Sequence, residues 1–197
     1  LAGLKPSAVV VVATVRALKN HGGVPKAELN NENLEALEKG LPNLLQHVSN
    51  ITNVYKLPCV VAINAFPTDT AAELKLVEDK CRELGVNVAL SEVWAKGGEG
   101  GKALATEVLR LCEQPNDFTF AYDAEDSIEQ KLNDIAKKIY HADGVPLTAN
   151  ARKQMAELEA LGFGNLPICM AKTQYSFSDD QTKLGAPSGF TITVRNL

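Results

Sequence analysis

In the stretch Val60-Val61-Ala62-Ile63-Asn64-Ala65-Phe66, an apolar run ends abruptly in a polar loop that carries an aromatic residue. The run is typical of a buried strand, and Thr70-Ala-Ala-Glu73 behind the loop has the form of a capping box that begins a helix. The same order recurs further on, where the predicted strand 86–90 is followed by a loop that carries the chain's only tryptophan, Trp94. Repeated strand–loop–helix units indicate βαβ topology and a mainly parallel sheet.

Other apolar segments continue this alternation. Residues 7–14 contain four successive valines, which is typical of a strand covered on both faces, and residues 118–122 alternate as a further strand. Gly40-Leu-Pro42 predicts a break between two helices, because proline is tolerated only in a first turn, and residues 16–23 predict a polar turn. Apolar residues at helical spacing predict helices over 34–51, 70–84, 102–112, 148–161 and after Asp126.

The predicted fold class is therefore α/β, with a Rossmann-like, mainly parallel sheet, flanking helices and the start of a smaller α/β domain. The composition shifts near Ala142-Asp-Gly-Val-Pro146, which predicts a turn-rich linker before that smaller domain. A last strand is predicted at 191–194.

Composition and charge argue against several classes of protein. The 197 residues are 45% hydrophobic, enough for a sizeable core, and a net charge of −4 argues against a general nucleic-acid binder. No apolar run reaches membrane-spanning length, and no signal or transit peptide is visible. The four cysteines show no Cys/His metal spacing, and three occupy apolar periodic positions, so we expect reduced core thiols in a cytoplasmic protein and no metal site.

The two aromatic loops predict a ligand site. Loops that follow neighbouring parallel strands lie together at the carboxyl edge of the sheet, where ligands bind in open α/β folds. We therefore expect Phe66 and Trp94 to hold a planar ligand between their rings, since stacking on aromatic faces is favourable. The alternative is that one or both rings fold back under their own loops.

A glycine loop after Trp94 is a second candidate binding element. Glycines at positions 97, 98, 100 and 101 stand before a predicted helix, where backbone N–H groups can face an anionic or polar ligand group. The string Gly98-Glu-Gly-Gly-Lys-Ala103 satisfies GxGxxA formally, but several residues separate it from the strand end at Leu90. A phosphate loop also fails, because Lys96 stands where its first glycine belongs. A plain flexible turn is the alternative.

Other polar residues allow two interpretations each. The basic residues Arg16, Lys19 and His21 could steer a phosphate group, or they could be a solvated strand end. Asp69 or Thr70 is better explained as a helix cap than as a ligand contact. A loop with Lys172, Tyr175 and Phe177 could face a cleft, and the sequence leaves this open.

Four strings of sequence carry a resemblance to a known family. They are Ala13-Thr-Val-Arg-Ala-Leu-Lys19 with His21-Gly-Gly23, Asn64-Ala-Phe-Pro-Thr-Asp-Thr70, Trp94-Ala-Lys-Gly-Gly-Glu-Gly-Gly101 and Gly162-Phe-Gly-Asn-Leu-Pro-Ile-Cys-Met-Ala-Lys-Thr-Gln174. With them the chain resembles formate–tetrahydrofolate ligase, also called 10-formyltetrahydrofolate synthetase, over nearly its whole length. The bacterial single-function enzyme is the more similar form.

The resemblance implies a reaction and its site. Family members phosphorylate formate with MgATP to give formyl phosphate, which the N10 amine of tetrahydrofolate then attacks; 10-formyltetrahydrofolate, ADP and phosphate leave. The aromatics that match Phe66 and Trp94 sandwich the pterin ring, the adenine is placed in the same region, and the residue that matches Leu90 lines that pocket. The resemblance also implies a homotetramer and activation by a monovalent cation, and it assigns no catalytic residue here.

The resemblance further implies a fragment. The chain begins directly before a predicted strand and ends directly after one, and no GxxxxGK[ST] occurs in it. On this interpretation residues 1–47 end a nucleotide-binding first domain, 48–146 form a Rossmann-like second domain, and 147–197 begin a third. Mg²⁺ would be bound mainly by residues outside the chain, and the chain alone would be inactive.

Two other functions remain open on the residues alone. A NAD(P)-type oxidoreductase domain would use the GxGxxA string and an acidic ribose contact, which the sequence does not supply convincingly. A non-catalytic interaction domain of doubly wound type would have Phe66 and Trp94 buried or in contact with a protein.

Overall fold

The computed structural model describes residues 3–197, which form two compact units. The N-terminal unit comprises Lys5–Thr119 with Leu184–Ala186, and the C-terminal unit comprises Phe120–Lys183 and Pro187–Leu197 together with residues 3 and 4. No helix in this part of the chain is both long and apolar enough to cross a bilayer.

The N-terminal unit is built on a three-stranded parallel sheet of order β1-β2-β3. Strand β1 is Val9–Ala13, β2 is Cys59–Asn64 and β3 is Asn87–Ser91. The central strand β2 is buried along nearly its whole length, as its apolar run predicts. The α/β, Rossmann-like fold class is confirmed.

Five α-helices flank this sheet: α1 (Val15–His21), α2 (Leu34–Ser49), α3 (Ala71–Glu83), α4 (Val93–Lys96) and α5 (Lys102–Cys112). Short 3-10 segments lie at Lys26–Glu28 and Gly97–Gly101, and a π-helical turn at Asn50–Val54 extends α2. The predicted capping box is confirmed, since the Thr70 hydroxyl accepts from the Glu73 N–H and the Glu73 carboxylate accepts from the Thr70 N–H.

The polar turn predicted at 16–23 is wrong, because this segment is helix α1. Its first turn is capped by Thr14, whose hydroxyl accepts from the Ala17 N–H at 3.1 Å. The polar composition concealed the helix, since Lys19 is fully buried beside the apolar residues Val15 and Leu18.

The break predicted at Pro42 is also wrong, because α2 runs through this residue as a single helix. Pro42 and Glu38, whose carbonyl loses its i+4 donor, are both exposed, so water can satisfy that carbonyl. Helices α1 and α2 touch closely at glycines: a Cβ on Gly40 would lie 1.8 Å from the Leu18 carbonyl oxygen.

Two predictions about burial need correction. Strand β1 is not covered on both faces, since its burial alternates and Val12 is 66% exposed. Of the three cysteines expected in the core, only Cys59 and Cys81 are buried, and burial raises the pKa of each thiol to about 11. Cys112 and Cys169 are exposed.

The C-terminal unit contains helices α6 (Ile128–Lys138) and α7 (Ala149–Ala160). The predicted strands at 118–122 and 191–194 are not formed; isolated parallel bridges join Gly144 to Thr191 and Leu147 to Val194. The Thr119 N–H instead donates to the backbone carbonyl of Tyr55, and the Thr119 hydroxyl donates to the backbone carbonyl of Val54, both within the N-terminal unit.

The segment 142–146 is packed, because Ala142 and Val145 belong to the apolar core of the C-terminal unit. This core also includes residues of both helices and the aromatic residues Phe177 and Phe190. The division into domains 1–47, 48–146 and 147–197 stays a prediction.

Candidate functional site

The aromatic loops meet at the carboxyl edge of the sheet. Phe66 follows β2 and Trp94 lies on α4, directly after β3, and the parallel register brings Asn64 opposite Ser91. The indole N–H of Trp94 donates to the Ala65 carbonyl at 2.8 Å, which ties the second loop to the first next to Phe66. Both rings are open to solvent, with exposed fractions of 38% for Phe66 and 63% for Trp94.

The Phe66 loop is held by a tight turn. The Phe66 N–H donates to the Asp69 carboxylate at 2.9 Å, and the Asp69 N–H donates back to the Phe66 carbonyl at 3.0 Å. Thr70 is the helix cap that the sequence predicts, and Asp69 closes the turn before it. The second carboxylate oxygen of Asp69 is buried without a hydrogen-bond partner in the part of the chain that the structure describes. Burial raises the pKa of this carboxyl above its ordinary value.

Leu90 is the next-to-last residue of β3, directly before the segment that carries Trp94. It pairs with Ile63 in the parallel register and is 38% exposed. An exposed leucine at this edge is compatible with the wall of a ligand pocket, and its role as such a wall stays a prediction.

The glycine loop is folded back on the residue that precedes α4. The Glu92 N–H donates to the Gly100 carbonyl at 3.1 Å, and a Cβ on Gly100 would lie 2.5 Å from the Glu92 carbonyl oxygen. Gly97 has a φ of 56°, which requires glycine, whereas a Cβ on Gly98 would meet nothing within 4 Å. Gly101 is the N-cap of α5. Gly100 thus has a packing role, and Gly98 faces open space.

The position of this loop argues against a dinucleotide fingerprint. In that motif the glycines form the tight turn that directly follows the strand. Here helix α4 stands between β3 and the first glycine, Gly97. The GxGxxA string is therefore a formal match without its structural context.

Lys19 does not steer a ligand. Its ammonium is fully buried, 2.8 Å from the Glu73 carboxylate, and donates to the Asn31 carbonyl at 2.8 Å. The same Glu73 oxygen also accepts from the Asn33 N–H at 3.1 Å. Burial by itself raises the pKa of Glu73, but the hydrogen bonds from Lys19, Thr70 and Asn33 outweigh it and hold the pKa below its ordinary value. Both interpretations from the sequence are wrong for Lys19, which joins α1 to α3.

The other two basic residues differ from Lys19 and from each other. His21 accepts at Nδ1 from the Gly185 N–H, and burial lowers its pKa. Arg16 lies with its guanidinium carbon 5.6 Å from the centroid of the Phe66 ring. The sequence placed Arg16 only near a strand end; the signal that could have found this contact is its position three residues beyond β1, whose end lies beside the end of β2.

The loop with Lys172 belongs to the C-terminal unit. The Lys172 ammonium donates to the carbonyls of Thr173, Ser176 and Ser178 and lies 4.6 Å from the centre of the Tyr140 ring. Burial lowers its pKa. The lysine thus holds its own loop together. Phe177 is buried in the core, and Tyr175 is exposed.

A cavity of about 720 Å³ lies in the C-terminal unit, and its lining includes neither Phe66, Leu90 and Trp94 nor the loop glycines. Its walls are mainly apolar and come from α6, α7 and the segments 166–173 and 192–197. Lys172, which is half-buried, is a cation in its lining, and its ammonium already donates to three backbone carbonyls. We therefore place the candidate site at the aromatic edge of the sheet, where exposed rings and unused donors occur together.

Residues 3–197 contain no group of three or more His, Cys, Asp or Glu side chains arranged to hold a metal ion. In a comparison with protein families, the family model described as formate–tetrahydrofolate ligase matches residues 1–197. The match covers both the sheet edge with Phe66 and Trp94 and the whole C-terminal unit. This chain belongs to the formate–tetrahydrofolate ligase family.

Proposed function

We propose that the chain takes part in the ATP-dependent joining of formate to tetrahydrofolate and that it contributes the aromatic clamp formed by Phe66 and Trp94. The observation that carries the proposal is the pair of exposed rings on loops that one hydrogen bond ties together, from the Trp94 indole to the Ala65 carbonyl. Family membership supplies the reaction class, since ligases of this family use ATP and tetrahydrofolate.

The clamp suits a flat bicyclic ring. Each aromatic face offers apolar area and about 0.5–1.5 kcal/mol of additional stacking energy per contact. Both the pterin of tetrahydrofolate and the adenine of ATP have this shape. Leu90 at the same edge would form part of the wall, and the backbone N–H groups around Gly97, Gly98, Gly100 and Gly101 would face the polar end of the ligand.

The chemistry would proceed by positioning and charge stabilisation. A formate oxygen attacks the γ-phosphorus of ATP, ADP leaves, and formyl phosphate forms. The N10 amine then attacks the formyl carbon, phosphate leaves, and the amine proton is lost to give 10-formyltetrahydrofolate. Holding the pterin fixes where N10 stands, which is the contribution that a clamp makes to such a step.

The phosphate-binding machinery lies elsewhere on this proposal. The 197 residues contain no GxxxxGK[ST]. We therefore expect the chain alone to bind ligand at the clamp without turnover. The homotetramer and the monovalent cation, which the family resemblance implies, and a cytoplasmic location, which the cysteine usage suggests, belong to the same proposal.

The alternatives have less support. A dinucleotide site would need the glycines directly after β3, and α4 stands between them. A non-catalytic interaction domain would have Phe66 and Trp94 buried or in contact with a protein, and their exposure leaves only the protein-contact form of this alternative.

Trp94 fluorescence tests the clamp, because this is the only tryptophan. We expect saturable changes in emission on titration with tetrahydrofolate or ATP, and Phe66→Ala should weaken binding by about tenfold or more. The Trp94→Ala variant has no tryptophan fluorescence, so its affinity for the ligand is measured by calorimetry. Trp94→Phe keeps a ring but loses the bond to Ala65, so its affinity should fall between those of the wild type and Trp94→Ala.

Phe120→Ala is the matched control, since Phe120 is an exposed aromatic of the C-terminal unit. It should leave the affinity unchanged. Equal losses in Phe66→Ala and Phe120→Ala, or no saturable response of the wild type to either ligand, would reject the clamp.

A further inference from the structure

We propose that Arg16 is the anion-recognising residue of this site and that it binds a carboxylate or phosphate group of the ligand held between Phe66 and Trp94. The inference rests on the proposed clamp and adds to it the charged group that discriminates among flat ligands. It concerns a residue on a different element from either ring.

The fold brings Arg16 to the clamp. Strand β1 pairs with β2 in parallel, with Ala13 opposite Ile63, so both strands end at the same edge. Helix α1 begins two residues after β1, and Arg16 is in its first turn. The central carbon of its guanidinium lies 5.6 Å from the centroid of the Phe66 ring, which places the positive charge next to that ring.

The guanidinium has donors to spare. Arg16 is half-buried, and within residues 3–197 its side chain has no hydrogen-bond or ion-pair partner, only the ring contact with Phe66. A guanidinium has five N–H donors and stays charged at all accessible pH values. Its nitrogens reach solvent, so an acceptor that arrives with the ligand can replace the water that these donors otherwise bind.

The nearest acid does not neutralise Arg16. Asp69 is close enough for the charge of Arg16 to lower its pKa somewhat against the larger effect of burial, but the two side chains form no ion pair. One Asp69 oxygen accepts from Phe66, and the other is buried. Glu73, the next acid, is paired with Lys19. Arg16 is therefore a cation at this edge that no acid of the described residues pairs, and it is available to a ligand.

The ligand chemistry follows from the guanidinium. Carboxylate and phosphate both present paired oxygens that match its planar fork, and such charge-assisted pairs are stronger than neutral hydrogen bonds. A planar ring on Phe66 with an anionic substituent towards α1 would use the stacking face and the fork together. Tetrahydrofolate carries carboxylates and ATP carries phosphates, so both sources have the required chemistry.

Matched pairs of probes separate recognition of the anion from stacking. The affinities of tetrahydrofolate and ATP are compared with those of tetrahydropterin, which lacks the carboxylates, and adenosine, which lacks the phosphates. Arg16→Met removes the charge at similar length. We expect it to weaken one anionic probe by about tenfold or more, and its neutral counterpart by less than about twofold. The pair that responds identifies the anion as carboxylate or phosphate.

Two further variants complete the test. Arg16→Lys keeps the charge without the fork and should lose an intermediate part of the affinity. Arg152→Met, at an exposed arginine of the C-terminal unit, should change no affinity. Equal weakening of the anionic probe and its neutral counterpart in Arg16→Met would show that Arg16 only supports the Phe66 ring, and unchanged affinities would show no role; either result overturns the inference.

Failure of the clamp gives a different pattern. If the wild type binds none of the four probes, or if Phe66→Ala leaves all four affinities unchanged, the proposed function falls and the inference falls with it. If Phe66→Ala weakens all four while Arg16→Met weakens none, the clamp stands and only the role of Arg16 is rejected.

Discussion

Lys19 and Arg16 stand one turn apart on helix α1, and their side chains end in opposite surroundings. The Lys19 ammonium is buried against Glu73 and the Asn31 carbonyl. The Arg16 guanidinium lies over the Phe66 ring with no acceptor in the described chain. Two cations one helical turn apart therefore differ in role. Lys19 is buried and paired, and it stabilises the packing of the helices, whereas Arg16 lies at the open edge of the sheet.

The glycines show the same contrast. Gly40 lets α1 and α2 touch, since any Cβ there would meet the Leu18 backbone, whereas Gly98 in the glycine loop faces open space. Glycine therefore allows close packing at Gly40, whereas Gly98 has no neighbour that a Cβ would meet. Substitutions at these two positions should differ sharply in their effect on stability.

The largest effect is expected for Lys19→Met. Removing one partner of a buried ion pair leaves the Glu73 charge uncompensated, which costs about 3–5 kcal/mol of unfolding free energy. Urea unfolding followed by circular dichroism measures the loss. Lys75→Met is the control, because the Lys75–Asp79 pair is exposed and should contribute less than about 1 kcal/mol. Equal costs for the two variants would contradict the scaffold role of Lys19.

Gly40→Ala should be the next most damaging change. The new Cβ would lie 1.8 Å from a backbone oxygen, so α1 and α2 must separate, at a cost of about 1–3 kcal/mol or more. Gly98→Ala, with nothing within 4 Å, should change the free energy of unfolding by less than about 1 kcal/mol. Thermal unfolding of both variants decides the matter, and a similar loss in each would mean that the glycine loop is packed as tightly as the helix contact.

Truncation of the clamp should barely affect stability. Phe66→Ala and Trp94→Ala remove rings that are 38% and 63% exposed, so each should cost less than about 1 kcal/mol of unfolding free energy while weakening ligand binding. The same urea titration provides the measurement. A cost of about 3–5 kcal/mol, as for a buried aromatic, would assign the rings to the scaffold.

The smallest effect concerns His21. Its imidazole is neutral when it accepts from the Gly185 N–H, and burial lowers its pKa from the ordinary 6.5. The stability that this neutral form contributes is fully present above pH 6.5 and is lost as the pH falls through the lowered folded-state pKa. Wild-type and His21→Gln proteins are compared by urea unfolding at pH 7.5 and 5.5. The difference between them should shrink at the lower pH, and an increase would refute the assignment.

Local signals in the sequence predicted local structure well. The box Thr70–Glu73 and the helix Lys102–Cys112 depend on residues within one or two turns, so their spacing sufficed. The open aromatic loops also followed from topology, since parallel strands end at one edge.

Long-range contacts could not be predicted. The segment 16–23 looked polar because the partner of Lys19 lies 54 positions away, at Glu73. The sequence around Pro42 predicted a break between helices. The helix continues because Pro42 and the Glu38 carbonyl are exposed to water, and this exposure depends on how the helix packs in the folded unit. The contact between Arg16 and Phe66 depends on the parallel pairing of β1 with β2, which spacing along the chain does not encode.

The shared carboxylate of Glu73 has a consequence for recombining this protein with relatives. One side chain caps α3, neutralises Lys19 and accepts from the Asn33 backbone at the start of α2. A single crossover between positions 19 and 73 takes Lys19 and Glu73 from different parents, so the chimera keeps the ion pair only where both parents carry it.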